Sequence, residues 1–253
     1  MQTPAPTNAE SAYLASACER LHDALGEWLV GVYVGGSYAL GDYLPGRSDL
    51  DLAGVVRSSL PSELVDEVVA RLRHEALPCP ARRLELVLYQ IETARSGSAA
   101  WEFELNLNTG ATTPLSVQSK GDAEEVGSHW FPIDRSILSQ AGLALHGPPA
   151  GEVFTAIPRA ALLPALAQSV RWHRGGESEP SDAVLNACRA LRFAQEGQWS
   201  SKPAAGRWAT EHGLAPRKLV EDACRARALA AQIDPEDVAA FLLSVESRLS
   251  RWS

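Results

Sequence analysis

Apolar residues recur along this chain with a helical period in some stretches and with a strand-like pattern in others. Residues 9–28 and 62–76 carry apolar side chains three or four positions apart, with charged residues between them, which predicts two helices. Shorter apolar runs next to glycine and proline turns predict strands. These runs are residues 32–34, 50–56 and 83–89, and residues 101–108 add an edge strand or an irregular segment.

The second half of the chain keeps only the helical pattern. Residues 138–145 are apolar and are expected to be helical, and Gly147-Pro148-Pro149 then marks a domain boundary. The helices expected after it are 160–173, 182–196, 204–212, 217–230 and 236–252. The predicted fold class is therefore α+β. Residues 1–149 form a domain with a small mixed sheet flanked by helices, and residues 150–253 form an all-helical domain.

Composition narrows the choice of partner. The chain has 253 residues, 45% of them hydrophobic, and a net charge of -8, which describes a globular protein with enough core for one large or two modest domains. Nucleic-acid binding normally requires clustered lysine and arginine, so the acidic balance argues against a nucleic-acid partner. We therefore expect a small-molecule partner, and the negative charge favours a cationic one.

The cysteines and the N-terminal residues predict the compartment. Cys18, Cys79, Cys188 and Cys224 lie far apart, without the paired spacing of a zinc or redox site, and are expected to be buried thiols in a reducing compartment. The first eight residues lack the features of a signal peptide, and no apolar run is long enough to cross a bilayer. The expectation is a cytoplasmic monomer that does not bind membranes.

The candidate chemistry is concentrated between residues 35 and 51. Gly35-Gly36-Ser37 follows the first predicted strand, and Ser48-Asp49-Leu50-Asp51 begins the second. Strand alternation places Asp49 and Asp51 on one face, where two carboxylates repel each other unless a cation lies between them. Mg²⁺ prefers such oxygen ligands together with phosphate and water, and a glycine pair lets backbone N–H groups approach a phosphate. The combination predicts nucleotidyl transfer.

The order of the two motifs resembles the nucleotidyltransferase superfamily that includes DNA polymerase beta. Taken separately, Gly-Gly-Ser is ordinarily a turn and Asp-x-Asp a solvated strand end, so their order and their position between two apolar strands carry the resemblance. It implies that Gly35, Gly36, Ser37 and Ser48 bind the nucleotide. It also implies that Asp49 and Asp51 hold Mg²⁺, with two ions expected at the site.

A third carboxylate, Glu85, lies within the apolar run 83–89. A charged side chain in such a strand needs a partner, because burying an unpaired charge is costly. Glu85 is therefore a candidate metal ligand or general base for an acceptor hydroxyl. The alternative is a structural salt bridge to Arg82 or Arg83.

Three residues of the helical half have both a functional and a structural interpretation. Lys202 could reach a triphosphate, although an isolated loop lysine is ordinarily a solvated surface residue. Asp182 could face a cationic substrate, although Ser181 or Asp182 also looks like a helix N-cap. Trp172 is more typical of a core residue than of a ligand platform.

The segment 185–209 resembles the helical domain of the AadA-type aminoglycoside adenylyltransferases, which modify streptomycin and spectinomycin. Arg189 and Ser201-Lys202 follow the order of that family, as does the strand around Leu84-Glu85-Leu86. The resemblance implies that Glu85 is the catalytic base and that Arg189 and Lys202 contact ATP. It places Trp172 and Asp182 close to drug-contacting positions. It also implies that the helical domain closes the cleft that holds ATP and the acceptor.

One departure from the family concerns the acceptor. Streptomycin-modifying members share a Phe-Gly-Glu-Trp stretch, whereas this chain has Phe103-Glu104-Leu105-Asn106, with Trp101 before it. This difference favours spectinomycin over streptomycin. The sequence thus predicts Mg²⁺-dependent transfer of AMP from ATP to a hydroxyl of an aminoglycoside-like acceptor, an activity of the antibiotic-resistance type. Two alternatives stay open: a protein or another metabolite as acceptor, or a homologue that binds nucleotide or antibiotic without turnover.

Overall fold

The apolar runs of the first half form one mixed sheet in a computed structural model that describes residues 8–120, 127–176, 178–229 and 231–252. In these ranges the sheet has six strands in the order β5-β4-β3-β2-β1-β6. Strands β2 and β3 are parallel, and the other neighbours are antiparallel. The strands are β1 Leu29–Val34, β2 Leu50–Val56, β3 Leu84–Gln90, β4 Leu105–Thr109, β5 Ser116–Ser119 and β6 Leu143–His146.

Alternation along the strands builds a separate core on each face of this sheet. Leu84, Leu86 and Leu88 pack on one face, among side chains of the first and third helices, whereas Tyr89 packs on the other face among side chains of the fifth and sixth. The predicted α+β arrangement, with a mixed sheet flanked by helices, is confirmed. The helices of this half are α1 Asn8–Leu25, α2 Gly36–Ala39, α3 Ser62–Leu72, α4 Ile91–Arg95, α5 Trp130–Ala141 and α6 Ala150–Val153.

The prediction of a helix over residues 138–145 is wrong in its second half. Helix α5 ends at Ala141, and Gly142 turns the chain into strand β6, which pairs with β1. A Cβ on Gly142 would lie 2.6 Å from the carbonyl oxygen of Leu138, so the turn requires glycine. The apolar residues of β6 are exposed on an edge strand, where their pattern does not report a buried helical face.

The second half is helical, as the periodicity predicts. Within residues 157–176, 178–229 and 231–252 the structure has five helices, and α11 packs against α7 and α8. They are α7 Arg159–Arg174, α8 Pro180–Glu196, α9 Lys202–Glu211, α10 Arg217–Leu229 and α11 Pro235–Trp252. The expected N-cap at Ser181 or Asp182 is wrong: the cap position is Glu179, and both residues lie inside α8 behind Pro180.

The chain divides into two compact units between Ala156 and Ile157. The boundary predicted after residue 149 lies inside the first unit, just before the short helix α6. In the described ranges, none of the helices is both long enough and apolar enough to cross a membrane.

Candidate active site

Strand pairing brings the predicted carboxylates of the first unit to one end of the sheet. Asp51 lies directly opposite Glu85 in the parallel pairing of β2 with β3, and Asp49 precedes Asp51 by two residues. The turn after β1 reaches the same end, because the backbone N–H of Gly35 donates to the carbonyl of Asp51 at 2.9 Å. The glycine turn and the three acidic residues therefore meet at the same end of the central strands β1, β2 and β3.

Gly36 gives the Asp51 carboxylate its space. Gly36 has φ of +51°, a conformation that glycine adopts readily, and it begins the short helix α2. A Cβ built at this position would overlap the carboxylate of Asp51, so a larger residue would collide with it as well as strain the backbone. The Gly-Gly-Ser turn and the second aspartate are thus packed against each other.

Ser48 fixes the approach of the chain to Asp49. Its hydroxyl accepts a hydrogen bond from the backbone N–H of Leu44 at 3.0 Å, and its backbone carbonyl accepts one from the backbone N–H of Arg82 at 3.3 Å. Ser48 is buried, so these bonds close the turn before β2 and tie it to the residue that precedes β3 by two positions. Its predicted role in nucleotide binding stays a prediction.

Two arginines hold the acidic residues. Arg82 binds Asp49 through two bonds, Nε to Oδ1 at 2.7 Å and Nη2 to Oδ2 at 2.6 Å. Arg83 places its Nε 3.3 Å from the same Oδ2 of Asp49 and forms an ion pair through Nη2 with Glu85. The salt bridge that was the structural alternative for Glu85 is therefore present, with Arg83 as the partner. The pairing of Arg82 with Asp49 was not foreseen.

Burial and neighbouring like charges act together on Glu85. Burial raises the pKa of Glu85 to about 8, the carboxylates of Asp51 and Asp49 add to the rise, and Arg83 and Arg82 oppose it. A carboxyl group with this pKa is largely protonated at neutral pH until a further cation favours its charged form. A general base must be deprotonated, so the site requires positive charge beyond that of the two arginines.

The donor set fits Mg²⁺, but the side chains are not gathered around a common point. In the described part of the chain, no three His, Cys, Asp or Glu side chains are grouped closely enough to hold a metal ion. Asp49 is engaged by Arg82, whereas the carboxylate of Asp51 lies against Gly36. All three acidic residues offer only oxygen ligands, and Asp51 and Glu85 are register partners, so their mutual repulsion would be relieved by Mg²⁺. Holding the ion would require Asp49 and Glu85 to leave the arginines.

The second unit contains a cluster of opposite sign. Lys202, the first residue of α9, donates from Nζ to Oδ1 of Asp182 at 2.6 Å, and Nε of Arg227 lies 3.7 Å from the same oxygen. Burial lowers the pKa of Lys202, Asp182 opposes this, and the charges of Arg227 and Arg189 lower it further. Two cations therefore contact one carboxylate, and Arg189 adds a third positive charge that acts on Lys202, an arrangement that attracts an additional anion.

The position of Lys202 corrects the surface interpretation, and Arg227 is a new member of the cluster. The Lys202 side chain is only 15% exposed, so it is not an ordinary solvated lysine. Arg227 is buried on the face of α10 that also buries Val220 and Ala223. A basic residue at that helical spacing was the sequence signal that could have identified Arg227.

The remaining predicted residues of the second unit lie among aromatic side chains. The guanidinium of Arg189 lies 5.8 Å from the ring centroid of Trp199, and its Nη1 donates to Oδ1 of Asn186 at 3.3 Å. Trp172 is half-buried and packs edge-on against His173, with 5.0 Å between the ring centroids. Asn186 also hydrogen-bonds His173 at 3.1 Å, which ties α8 to the end of α7.

Comparisons with known proteins assign the two parts of the chain separately. Residues 15–103 match the family model of the nucleotidyltransferase domain, and residues 152–242 match that of the aminoglycoside adenylyltransferase C-terminal domain. No curated protein matches the chain. A solved structure of spectinomycin adenyltransferase AAD(9) from Enterococcus faecialis, with ATP and spectinomycin, has a TM-score of 0.66 and 17% identity, covering 95% of this chain and 99% of that one. At this identity the structural match shows a shared fold.

Proposed function

The chain belongs to the AadA-type aminoglycoside nucleotidyltransferases, and on that premise we propose that it transfers AMP from ATP to a hydroxyl of an aminoglycoside-like acceptor. The observation that carries the proposal is that the Gly35–Ser37 turn lies with Asp49, Asp51 and Glu85 at one end of the central strands. A phosphate-binding turn beside three carboxylates suits a reaction in which a cation-bound triphosphate is attacked in line.

The acidic residues and the glycine turn of the first unit have different roles in the proposed reaction. Asp49 and Asp51, with Glu85, would hold Mg²⁺, which when bound neutralises charge on the triphosphate. Gly36 keeps the turn open to a phosphate and leaves room for Asp51. Glu85, once deprotonated, would accept the proton of the acceptor hydroxyl, and pyrophosphate would leave as the new phosphodiester forms.

The cationic cluster of the second unit is proposed to bind the triphosphate. Lys202 and Arg189 are the members that the family resemblance assigns to ATP, and their cluster has more positive than negative charge. Asp182 and Trp172 are proposed to contact the acceptor. An acidic residue suits an amino-substituted acceptor, and a half-buried indole offers an apolar face to a ring.

Spectinomycin is the proposed acceptor in preference to streptomycin. The chain lacks the Phe-Gly-Glu-Trp stretch of streptomycin-modifying relatives, and Trp101, which precedes Phe103, is 42% exposed. The solved relative with the same fold is a spectinomycin adenyltransferase that was determined with that drug and ATP.

The test is mass spectrometry of acceptors after incubation with ATP and Mg²⁺. Spectinomycin should gain the mass of one adenylyl group with the wild-type protein and not with Asp49→Asn. The matched control is Asp66→Asn, an exposed aspartate on α3, which should retain wild-type activity. Modification of streptomycin alone would overturn the acceptor preference, and equal product from the Asp49 variant would overturn the assigned site.

A further inference from the structure

Two arginines occupy the carboxylate oxygens that the proposed reaction needs for a divalent cation. Arg82 uses both oxygens of Asp49, and Arg83 reaches Oδ2 of Asp49 as well as the carboxylate of Glu85. A carboxylate whose two oxygens both accept short charge-assisted hydrogen bonds from one arginine, as those of Asp49 do from Arg82, has little remaining capacity for a metal ion. The arginines therefore occupy carboxylate oxygens at which a cation would bind.

The backbone holds Arg83 in register with the acidic residues. Its carbonyl accepts a hydrogen bond from the backbone N–H of Leu50 at 3.0 Å, so the residue is fixed beside the start of β2. Its side chain is 33% exposed and carries the guanidinium on a flexible aliphatic stem, so it can move without disturbing the sheet. A fixed backbone with a flexible side chain suits a guanidinium that leaves the carboxylates when a divalent cation binds them.

The charge balance explains why such a residue is useful. Asp49, Asp51 and Glu85 carry three negative charges when ionised. Neighbouring like charges repel strongly in a half-buried site, and the charges of Asp51 and Asp49 raise the pKa of Glu85. Arg82 and Arg83 offset two of these charges while no metal is bound. A divalent cation carries the same two positive charges on a single centre, so it competes with the arginines for these oxygens.

We propose that Arg83 is a positioning residue that serves as the internal counterion of Asp49 and Glu85 and competes with the divalent cation for them. This inference rests on the proposed function, since it assumes that these carboxylates hold the metal. The competition lowers metal affinity in the nucleotide-free protein. Metal uptake is then favoured together with the triphosphate, whose oxygens complete the coordination shell of the ion.

The test measures Mn²⁺ binding to the full chain without nucleotide, by the electron paramagnetic resonance signal of free Mn²⁺. Arg83→Met keeps the aliphatic stem and removes the charge, and it should raise Mn²⁺ affinity by about five- to tenfold. Arg83→Lys should stay near the wild-type value, because a cation remains. The matched control is Arg71→Met, which removes one charge from the exposed pair with Glu67 on α3 and should leave the affinity unchanged.

The variant Asp49→Asn separates failure of this inference from failure of the proposed function. If Asp49→Asn weakens Mn²⁺ binding but Arg83→Met has no more effect than Arg71→Met, the counterion role is overturned and the metal site stands. If Asp49→Asn leaves Mn²⁺ binding unchanged, the assigned metal site itself is wrong. Absence of measurable binding in both wild type and Arg83→Met also overturns the counterion role. Arg83→Gln is a second uncharged variant that replaces Arg83→Met if the latter does not fold.

Discussion

The two units each contain a half-buried charge cluster, and the two clusters have opposite signs. In the first unit, Asp49 and Glu85 pair with Arg82 and Arg83. In the second, Lys202 and Arg227 pair with Asp182, and Arg189 adds a further positive charge. Each cluster is partly neutralised by a minority of opposite charge. The groups that predominate in each cluster indicate the ligand that it is proposed to bind: a cation for the carboxyl groups of the first cluster and an anion for the basic groups of the second.

The largest expected effect comes from removing a carboxylate from the first cluster. Asp51→Asn keeps the size of the side chain and removes its charge, and it should lower kcat by about a thousandfold, since loss of one preorganised charge costs about that much. The measurement is steady-state AMP transfer at saturating ATP and acceptor. A variant with kcat within tenfold of wild type would remove Asp51 from the site.

A substitution in the glycine turn tests whether the first cluster depends on backbone geometry. Gly36→Ala should lower the free energy of unfolding by about 2 to 3 kcal/mol, because it combines a positive φ with overlap of the Asp51 carboxylate. Gly41→Ala is the matched control: it has φ of +75° and open space around the added Cβ. It should cost only about 1 kcal/mol in denaturant unfolding. Equal costs at both positions would contradict the close packing of Gly36 on Asp51.

The second cluster is tested by neutralising its lysine. Lys202→Met should raise KM for ATP by about 10- to 30-fold with a smaller change in kcat, because it removes one of three cations near the proposed phosphate site. Lys218→Met, at an exposed lysine paired with Asp222 on α10, is the control that should change neither constant. An unchanged KM in Lys202→Met would leave the second cluster without a role in ATP binding.

The smallest effect is a pH dependence that arises from Glu85 in the first cluster. The folded protein keeps a proton on Glu85 up to a pKa of about 8, whereas the unfolded chain releases it near 4.5. Between these values Glu85 binds more protons in the folded state, so its contribution to the stability of the protein falls as pH rises from about 4.5 to 8. The side chain of the Glu85→Gln variant cannot ionise. The Tm of this variant should therefore fall less than that of the wild type between pH 4.5 and 8, by a few degrees. Identical pH profiles for both proteins in a metal chelator would contradict the raised pKa.

Local sequence patterns predict the strand part of the first cluster well. Alternation alone places Asp49 and Asp51 on one face, and the apolar environment of Glu85 marks it as unusual. The parallel register then sets Asp51 opposite Glu85. The helices of the second unit were also predicted closely, because each has a clear apolar stripe.

Contacts between side chains distant in sequence were not predictable in the same way. The ion pair between Arg82 and Asp49 depends on side-chain rotamers and on the turn at Ser48. Neither can be read from the spacing of apolar residues. Arg227 joins Lys202 only because α8, α9 and α10 pack together. Strand β6 was missed because its leucines lie on an exposed edge, where apolar spacing carries no information about burial.

The most direct test of the account follows the phosphorus atoms of ATP. Wild-type protein would be incubated with Mg²⁺, spectinomycin and ATP labelled either at the α-phosphate or at the γ-phosphate. Nucleotidyl transfer predicts that α-label appears on the drug and that γ-label is released in pyrophosphate, with neither event in Asp49→Asn. Transfer of γ-label to the drug, or release of γ-label as inorganic phosphate without modification of any acceptor, would contradict the central claim.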